Sequence, residues 1–230
     1  MNTIYRSILA LASIFMFFSC SVGSDKLIAL SFDDGPNLTT TPKVLDVLKE
    51  NKVPASFFVI GENINDETAE MMKRAVKQGC EIENHSFRHN MMTMLPEEQI
   101  VKEIEGTSAL VKQYVGREPE FFRPPYINLD QKMFDCIDLT FICGEGCQDW
   151  EPLVTTEERI KQMLEHAEDG QIVLLHDFEG NDNTVEAIKT VIPELKAQGY
   201  KFVTVSRLFK AKHVELDPDK DVIYTNVLKD

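Results

Sequence analysis

Short apolar runs that alternate with amphipathic helical patterns constrain this chain more than any other feature. Residues 26–32 (KLIALSF), 54–60 (PASFFVI) and 171–175 (QIVLL) are too short for core helices and too uniformly apolar for half-exposed strands. They read as buried strands. Weaker strand signals lie at 80–84, 139–143 and 200–205. Between them the apolar spacing turns helical. Val44, Leu45, Val47 and Leu48 share one face of a helix over 42–50. A second helix is predicted over 67–78, where Gly79 suits its C-terminal cap. The longest opens at Pro96, a residue favoured in a first turn, carries Ile100, Ile104, Leu110, Val111 and Tyr114, and closes at Gly116. Thr155 with Glu158 forms a capping box for a helix reaching His166, and 184–197 is helical up to Gly199. Repeated strand–helix units require a parallel α/β sheet or barrel with right-handed crossovers. No internal repeat or low-complexity linker interrupts them.

The 230 residues suit one domain with a sizeable core. Asp and Glu number 38 against 24 Lys and Arg, a net charge of -14, which argues against nucleic acid as a partner. With 43% hydrophobic and 27% charged residues, disorder and a multi-pass membrane protein are both excluded.

The first stretch stands apart from the fold. Arg6 precedes an apolar run over 8–18, too short to cross a bilayer and suited to an export signal. Its ending, Phe18-Ser19-Cys20, resembles a bacterial lipoprotein box, which makes 1–19 a signal peptide, Cys20 a lipidation site and 20–26 a tether. The expected product is an exported, membrane-anchored monomer with its folded domain over 27–210 and a tail over 211–230. The tail's few apolar residues, Val222, Ile223 and Tyr224, could close an open edge of the barrel or pack beside it. Cys80, Cys136, Cys143 and Cys147 are read as buried thiols or one disulfide.

Polar clusters follow the strands. Asp33-Asp34 follows the first, His85 and His89 the third, Arg123 to Tyr126 and Asp149-Trp150 the weaker ones, and His176-Asp177 the run QIVLL. In an α/β barrel the loops after strand C-termini converge on one rim, so five such groups predict a constellation. Two imidazoles four residues apart can meet one metal, and Asp33-Asp34 can add a third ligand and a base. Asp-Asp-Gly-Pro alone also suits a polar turn. His176 fits a general acid with Asp149 as its orienting carboxylate. His166 and His213 are expected at the surface, and Met91, Met92 and Met94 along a wall.

Taken in order, Ser31-Phe-Asp-Asp-Gly-Pro36, His85-Ser-Phe-Arg-His89, Arg123-Pro-Pro-Tyr126, Asp149-Trp150 and Leu174-Leu-His176 resemble the motifs of the NodB-homology polysaccharide deacetylases, carbohydrate esterase family four. The likeness extends over about 27–205. It implies a distorted, often incomplete (β/α) barrel. It also implies a divalent metal held by Asp34, His85 and His89, zinc first, with cobalt, nickel or manganese as other occupants. By the same resemblance Asp33 is the base, held by Arg123; the Tyr126 backbone N–H stabilises the oxyanion; His176 is the acid, oriented by Asp149; and Trp150 and Leu174 wall the acetyl pocket. Ser31, Ile127, Gly146 and Cys80 depart from the family's common residues, which bears on substrate choice more than on activity. The expected reaction removes N-acetyl groups from GlcNAc-type glycans such as peptidoglycan or chitin-like chains. The alternatives are O-acetyl esters of xylan or other glycans, and a carbohydrate-binding lipoprotein without turnover.

Overall fold

The computed structural model describes residues 25–216 and 221–229. The signal segment 1–19, Cys20 and most of the tether therefore lie outside the described residues. Among the described residues nine strands form one sheet: β1 Lys26–Asp33, β2 Ser56–Val59, β3 Glu81–Asn84, β4 Phe121–Phe122, β5 Thr140–Ile142, β6 Glu145–Gly146, β7 Gln171–His176, β8 Tyr200–Val203 and β9 Ile223–Tyr224. Their order is β6-β7-β1-β2-β3-β4-β5-β9, with β8 paired to β1, and every one of these pairings is parallel. The sheet curls into an incomplete (β/α) barrel. Crossovers are carried by α1 Thr41–Asn51, α2 Ala69–Lys77, α3 Glu97–Val115, α4 Gln131–Cys136, α5 Thr156–Glu165, α6 Asp182–Ala197 and α7 Val205–Lys212.

Burial on both faces explains why the central strands read as unbroken apolar runs: every residue of β1 after Lys26 is buried. Ile28, Leu30 and Phe32 join the helix faces from Val44 to Leu48 and from Val185 to Leu195 in the main core. Leu27, Ala29 and Phe58 point the other way, against Phe121, Ile142 and Phe209.

Three expectations change. Pro96 is the N-cap of α3: its φ of -70° would suit a helix, but its ψ of 154° is extended, and the first helical residues are Glu97 and Glu98. The segment after β8 is the helix α7, where Val205, Leu208 and Phe209 bury one face against the sheet. Met92 is fully buried, whereas Met91 and Met94 are exposed, so these methionines form no common wall. Beyond residue 210 the chain returns to the sheet, and Ile223 and Tyr224 pair with Phe141 and Ile142 of β5. Cys80 and Cys147 are buried thiols, which burial pushes up to about 11 and about 12. Among the described residues, no helix is long and apolar enough to cross a membrane.

Candidate active site

Parallel register builds the site. Asp33, at the C-terminal end of β1, lies opposite His176 at the end of β7. Asn84 of β3 pairs with Phe122 of β4, so His85 and Arg123 leave adjacent strands side by side. The polar residues of five loops thus gather on one rim.

Asp34, His85 and His89 offer ligand atoms within 4.8 Å of one another. Asp34 Oδ1 sits 3.5 Å from Nε2 of each imidazole. That oxygen is buried and has no hydrogen-bond partner, a costly arrangement unless a cation completes it. Burial opposes ionisation of Asp34, yet the imidazole of His85 beside it, with His176 and His89 beyond, brings its carboxyl below the ordinary range. Burial and the neighbouring His85 lower His89, which keeps its imidazole neutral. His85 Nδ1 is 2.7 Å from the carbonyl oxygen of Arg123, an atom that can only accept, so Nε2 keeps its lone pair for the site. A carboxylate with two imidazoles fits an open divalent-metal site. The His85–His89 segment is a loop and not a helical turn. Ser86 (φ 65) and His89 (φ 55) are left-handed, as is Asp34 (φ 77).

Asp33 is 2% exposed. Its Oδ1 accepts from Arg123 Nη1 at 2.6 Å, and its Oδ2 lies 3.8 Å from His85 Nε2. Arg123 is wholly buried; its Nη2 donates to Ser31 Oγ at 2.8 Å, and its guanidinium lies 4.2 Å from the Phe58 ring centre. Ser31 in turn donates to the Val173 carbonyl at 2.7 Å.

His176 contacts Asp149 twice, through its backbone N–H to Oδ2 at 2.8 Å and its Nδ1 to Oδ1 at 2.7 Å. Burial disfavours the imidazolium, but that bond and the charges of Asp149, Asp33 and Asp34 outweigh it and raise His176 to about 9. Asp149 is held by Thr184 Oγ1 at 2.8 Å and Asn181 Nδ2 at 3.3 Å. Buried Arg159 of α5 donates to both partners, to Asn181 Oδ1 at 2.7 Å and Thr184 Oγ1 at 2.9 Å.

A pocket of about 470 Å³ opens over these groups, with Tyr126, Trp150 and Leu174 in its walls. Tyr126 (φ 60) and Ile127 (φ 50) are both left-handed, an uncommon conformation for a β-branched residue such as Ile127. The Tyr126 ring meets His89 edge-on at 4.6 Å, and Trp150 meets His176 at 5.5 Å. A side chain at Gly146 would meet the Trp150 ring at 3.3 Å.

Several supporting residues escape a sequence reading. Glu103, which belongs to no motif but is buried on α3, accepts from the backbone N–H groups of Phe87 and Arg88 at 2.9 and 2.7 Å and so shapes the histidine loop. Arg159, Asn181 and Thr184 act likewise around Asp149. For Glu103, Arg159 and Thr184 the signal is a charged or polar residue on the buried face of an amphipathic helix, whereas Asn181 stands just before α6 as its N-cap. Asp177 is wholly buried and accepts from Thr41 Oγ1 at 2.5 Å beneath Gly35. His166 and His213 stay outside the site, His166 beside Glu145 at 3.2 Å.

The family profile described as polysaccharide deacetylase matches residues 21–138. A bifunctional xylanase/deacetylase of Pseudobutyrivibrio xylanivorans is 48% identical over 83% of this chain, which spans 32% of that protein's length. A peptidoglycan-N-acetylglucosamine deacetylase of Bacillus cereus is 37% identical, covering 83% of this chain and 91% of its own length. Among solved structures, a family 4 acetyl xylan esterase from Clostridium thermocellum, in complex with a cobalt ion, is 42% identical with a TM-score of 0.85, covering 88% of this chain and 99% of its own. The profile and the relative of near-equal length agree: the chain belongs to the polysaccharide deacetylase family.

Proposed function

We propose that this protein removes acetyl groups from a polymeric glycan with the help of a divalent cation held by Asp34, His85 and His89. The observation that carries the reading is the buried, unpartnered Asp34 Oδ1 between two imidazoles, with the Asp33 carboxylate beside them. Zinc is the first candidate occupant, with cobalt, nickel and manganese behind it. Such a cation acidifies water and polarises an acetyl carbonyl.

Arg123 occupies one oxygen of Asp33 and leaves the other facing the ligands, where it takes the proton of the attacking water. The Tyr126 backbone N–H is the proposed partner of the oxyanion. His176, protonated near neutral pH, gives a proton to the departing sugar nitrogen or oxygen, and Asp149 keeps its Nδ1 occupied so that Nε2 faces the substrate. Trp150 and Leu174 wall the space for the acetyl methyl.

The substrate expected from the sequence is an N-acetyl group on a GlcNAc-type sugar. The high His176 pKa supports this, because an amine leaves poorly without a proton. A second reading, O-acetyl esters of xylan, is favoured by the identities to the xylanase/deacetylase and the acetyl xylan esterase, both above that to the peptidoglycan enzyme. In either case the proposed setting is outside the cytoplasm, with the protein tethered through Cys20 and 27–210 as its catalytic unit. Acetate release from acetylated chitooligosaccharides, peptidoglycan fragments and acetylated xylan, offered side by side, decides the bond. Release from the first two supports the amide and from xylan alone the ester. Release from none, with a stoichiometric bound metal, overturns the proposal.

A further inference from the structure

Asp34 and His89 line two depressions, not one. Besides the pocket beside Trp150 and Leu174, they border a cleft of about 630 Å³ formed by the loops after β1, β2 and β7. A glycan whose acetyl group sits in the first depression has neighbouring sugars to place, and the second adjoins it. Leu38, half exposed, and the Phe178 ring give that cleft an apolar surface for a sugar's C–H face, while Asn63 and Asn65 add amides. Asn63 is fixed there by its Nδ2 bond to the Asp34 carbonyl at 2.8 Å.

Outside the proposed metal site, the side chains that line this cleft bring charge of one sign. Glu62 and Glu179 line it and are exposed, neither takes part in an ion pair among the described residues, and no Lys or Arg lines it. Carboxylates in a cleft with low-dielectric walls focus a negative potential, and the chain's net charge of -14 reinforces it. We propose that this cleft is a subsite for the sugar next to the one being deacetylated, and that Glu62 and Glu179 make it prefer an amine-bearing sugar, accept an uncharged one and reject a carboxylate-bearing one. The proposal rests on the glycan-deacetylase reading above and names the substrate class for it. One consequence is directional: a chain already stripped of an acetyl group carries an ammonium that this cleft attracts.

The test is product binding by calorimetry, which needs no turnover. Three β-1,4-linked tetrasaccharides of one sugar configuration serve as probes: glucosamine, glucose and glucuronate. The expected order of affinity is glucosamine, glucose, glucuronate, with the two ends about tenfold or more apart at low salt and drawn together at 1 M salt. In the double variant Glu62→Gln/Glu179→Gln the glucosamine-to-glucuronate ratio falls to about twofold or less. A ratio that the double variant leaves unchanged, or no preference in the wild type, overturns the subsite. Hydrolysis of 4-nitrophenyl acetate by the wild type is followed in parallel. Its absence with the binding order intact counts against the hydrolase reading and supports the subsite.

Discussion

Nδ1 of His85 donates to the backbone carbonyl of Arg123 across 2.7 Å, and the guanidinium of the same arginine holds Asp33 at 2.6 Å. One buried residue therefore sets the tautomer of a proposed metal ligand with its main chain and the aim of the proposed base with its side chain. The pairing follows from β3 and β4 lying side by side, which brings both residues off the sheet at one level. Arg123→Lys keeps the charge and the carbonyl but loses the fork that reaches Asp33 and Ser31 together. The expected result is a fall in kcat of about 100-fold with bound metal unchanged. Acetate-release kinetics and elemental analysis on one preparation check it, and an unaltered kcat removes Arg123 from the account.

Glu103 braces the histidine loop through two backbone N–H groups. Glu103→Ala leaves those partly buried donors without their carboxylate, so metal affinity is expected to drop about tenfold and stability by about 1 kcal/mol. Competition against a chelator measures the first and thermal unfolding the second. Saturating metal should restore most of the activity.

Deprotonated His176 cannot serve as an acid, so kcat/KM should fall as pH rises through its pKa. In Asp149→Asn the bond and charge that raise His176 are lost while burial, which lowers it, remains. The descending limb of the pH profile should then move to lower pH by more than one unit. A limb that stays in place contradicts the pairing of Asp149 with His176.

Much of this arrangement is legible in the sequence, and the part that is not has a common cause. The runs of β1, β2 and β7 are buried on both faces, so composition alone marks them, and the five polar groups lie where strands end. Helix α7 escapes because it is short and its apolar residues directly continue a strand. Strand β9 is two residues long and gains its place only from β5. Glu103, Arg159 and Asn181 are visible only once α3, α5 and α6 are packed, because the partners that matter lie far away in sequence: backbone N–H groups for Glu103, Asn181 and Thr184 for Arg159, and Asp149 for Asn181. The lipoprotein signal at Cys20 is read from sequence alone.

Asp177 offers a prediction about stability. Burial raises its carboxyl to about 7, the Thr41 bond opposes this, and the charges of Asp34 and Asp33 add to it. A carboxyl raised in the fold stays neutral there while the unfolded chain ionises near 3.8, so the unfolded state binds fewer protons between these values. Stability should therefore fall as pH rises from about 4 to 7, by up to a few kcal/mol. Asp177→Asn, which carries no titrating proton, should flatten that slope in chemical denaturation measured across the range. A slope identical to that of the wild type would show that Asp177 is ionised in the fold.

The central claim is that Asp34, His85 and His89 hold one divalent cation beside a base, Asp33, that is not needed to hold it. The most direct measurement is metal content and acetate release for the wild type and Asp33→Asn, before and after chelation and zinc add-back. The account predicts one zinc per chain in both proteins, activity in the wild type that chelation abolishes and zinc restores, and about a thousandfold lower activity in Asp33→Asn at full metal occupancy. Acetate release by the wild type that persists after complete metal removal, or full activity in Asp33→Asn, would contradict it.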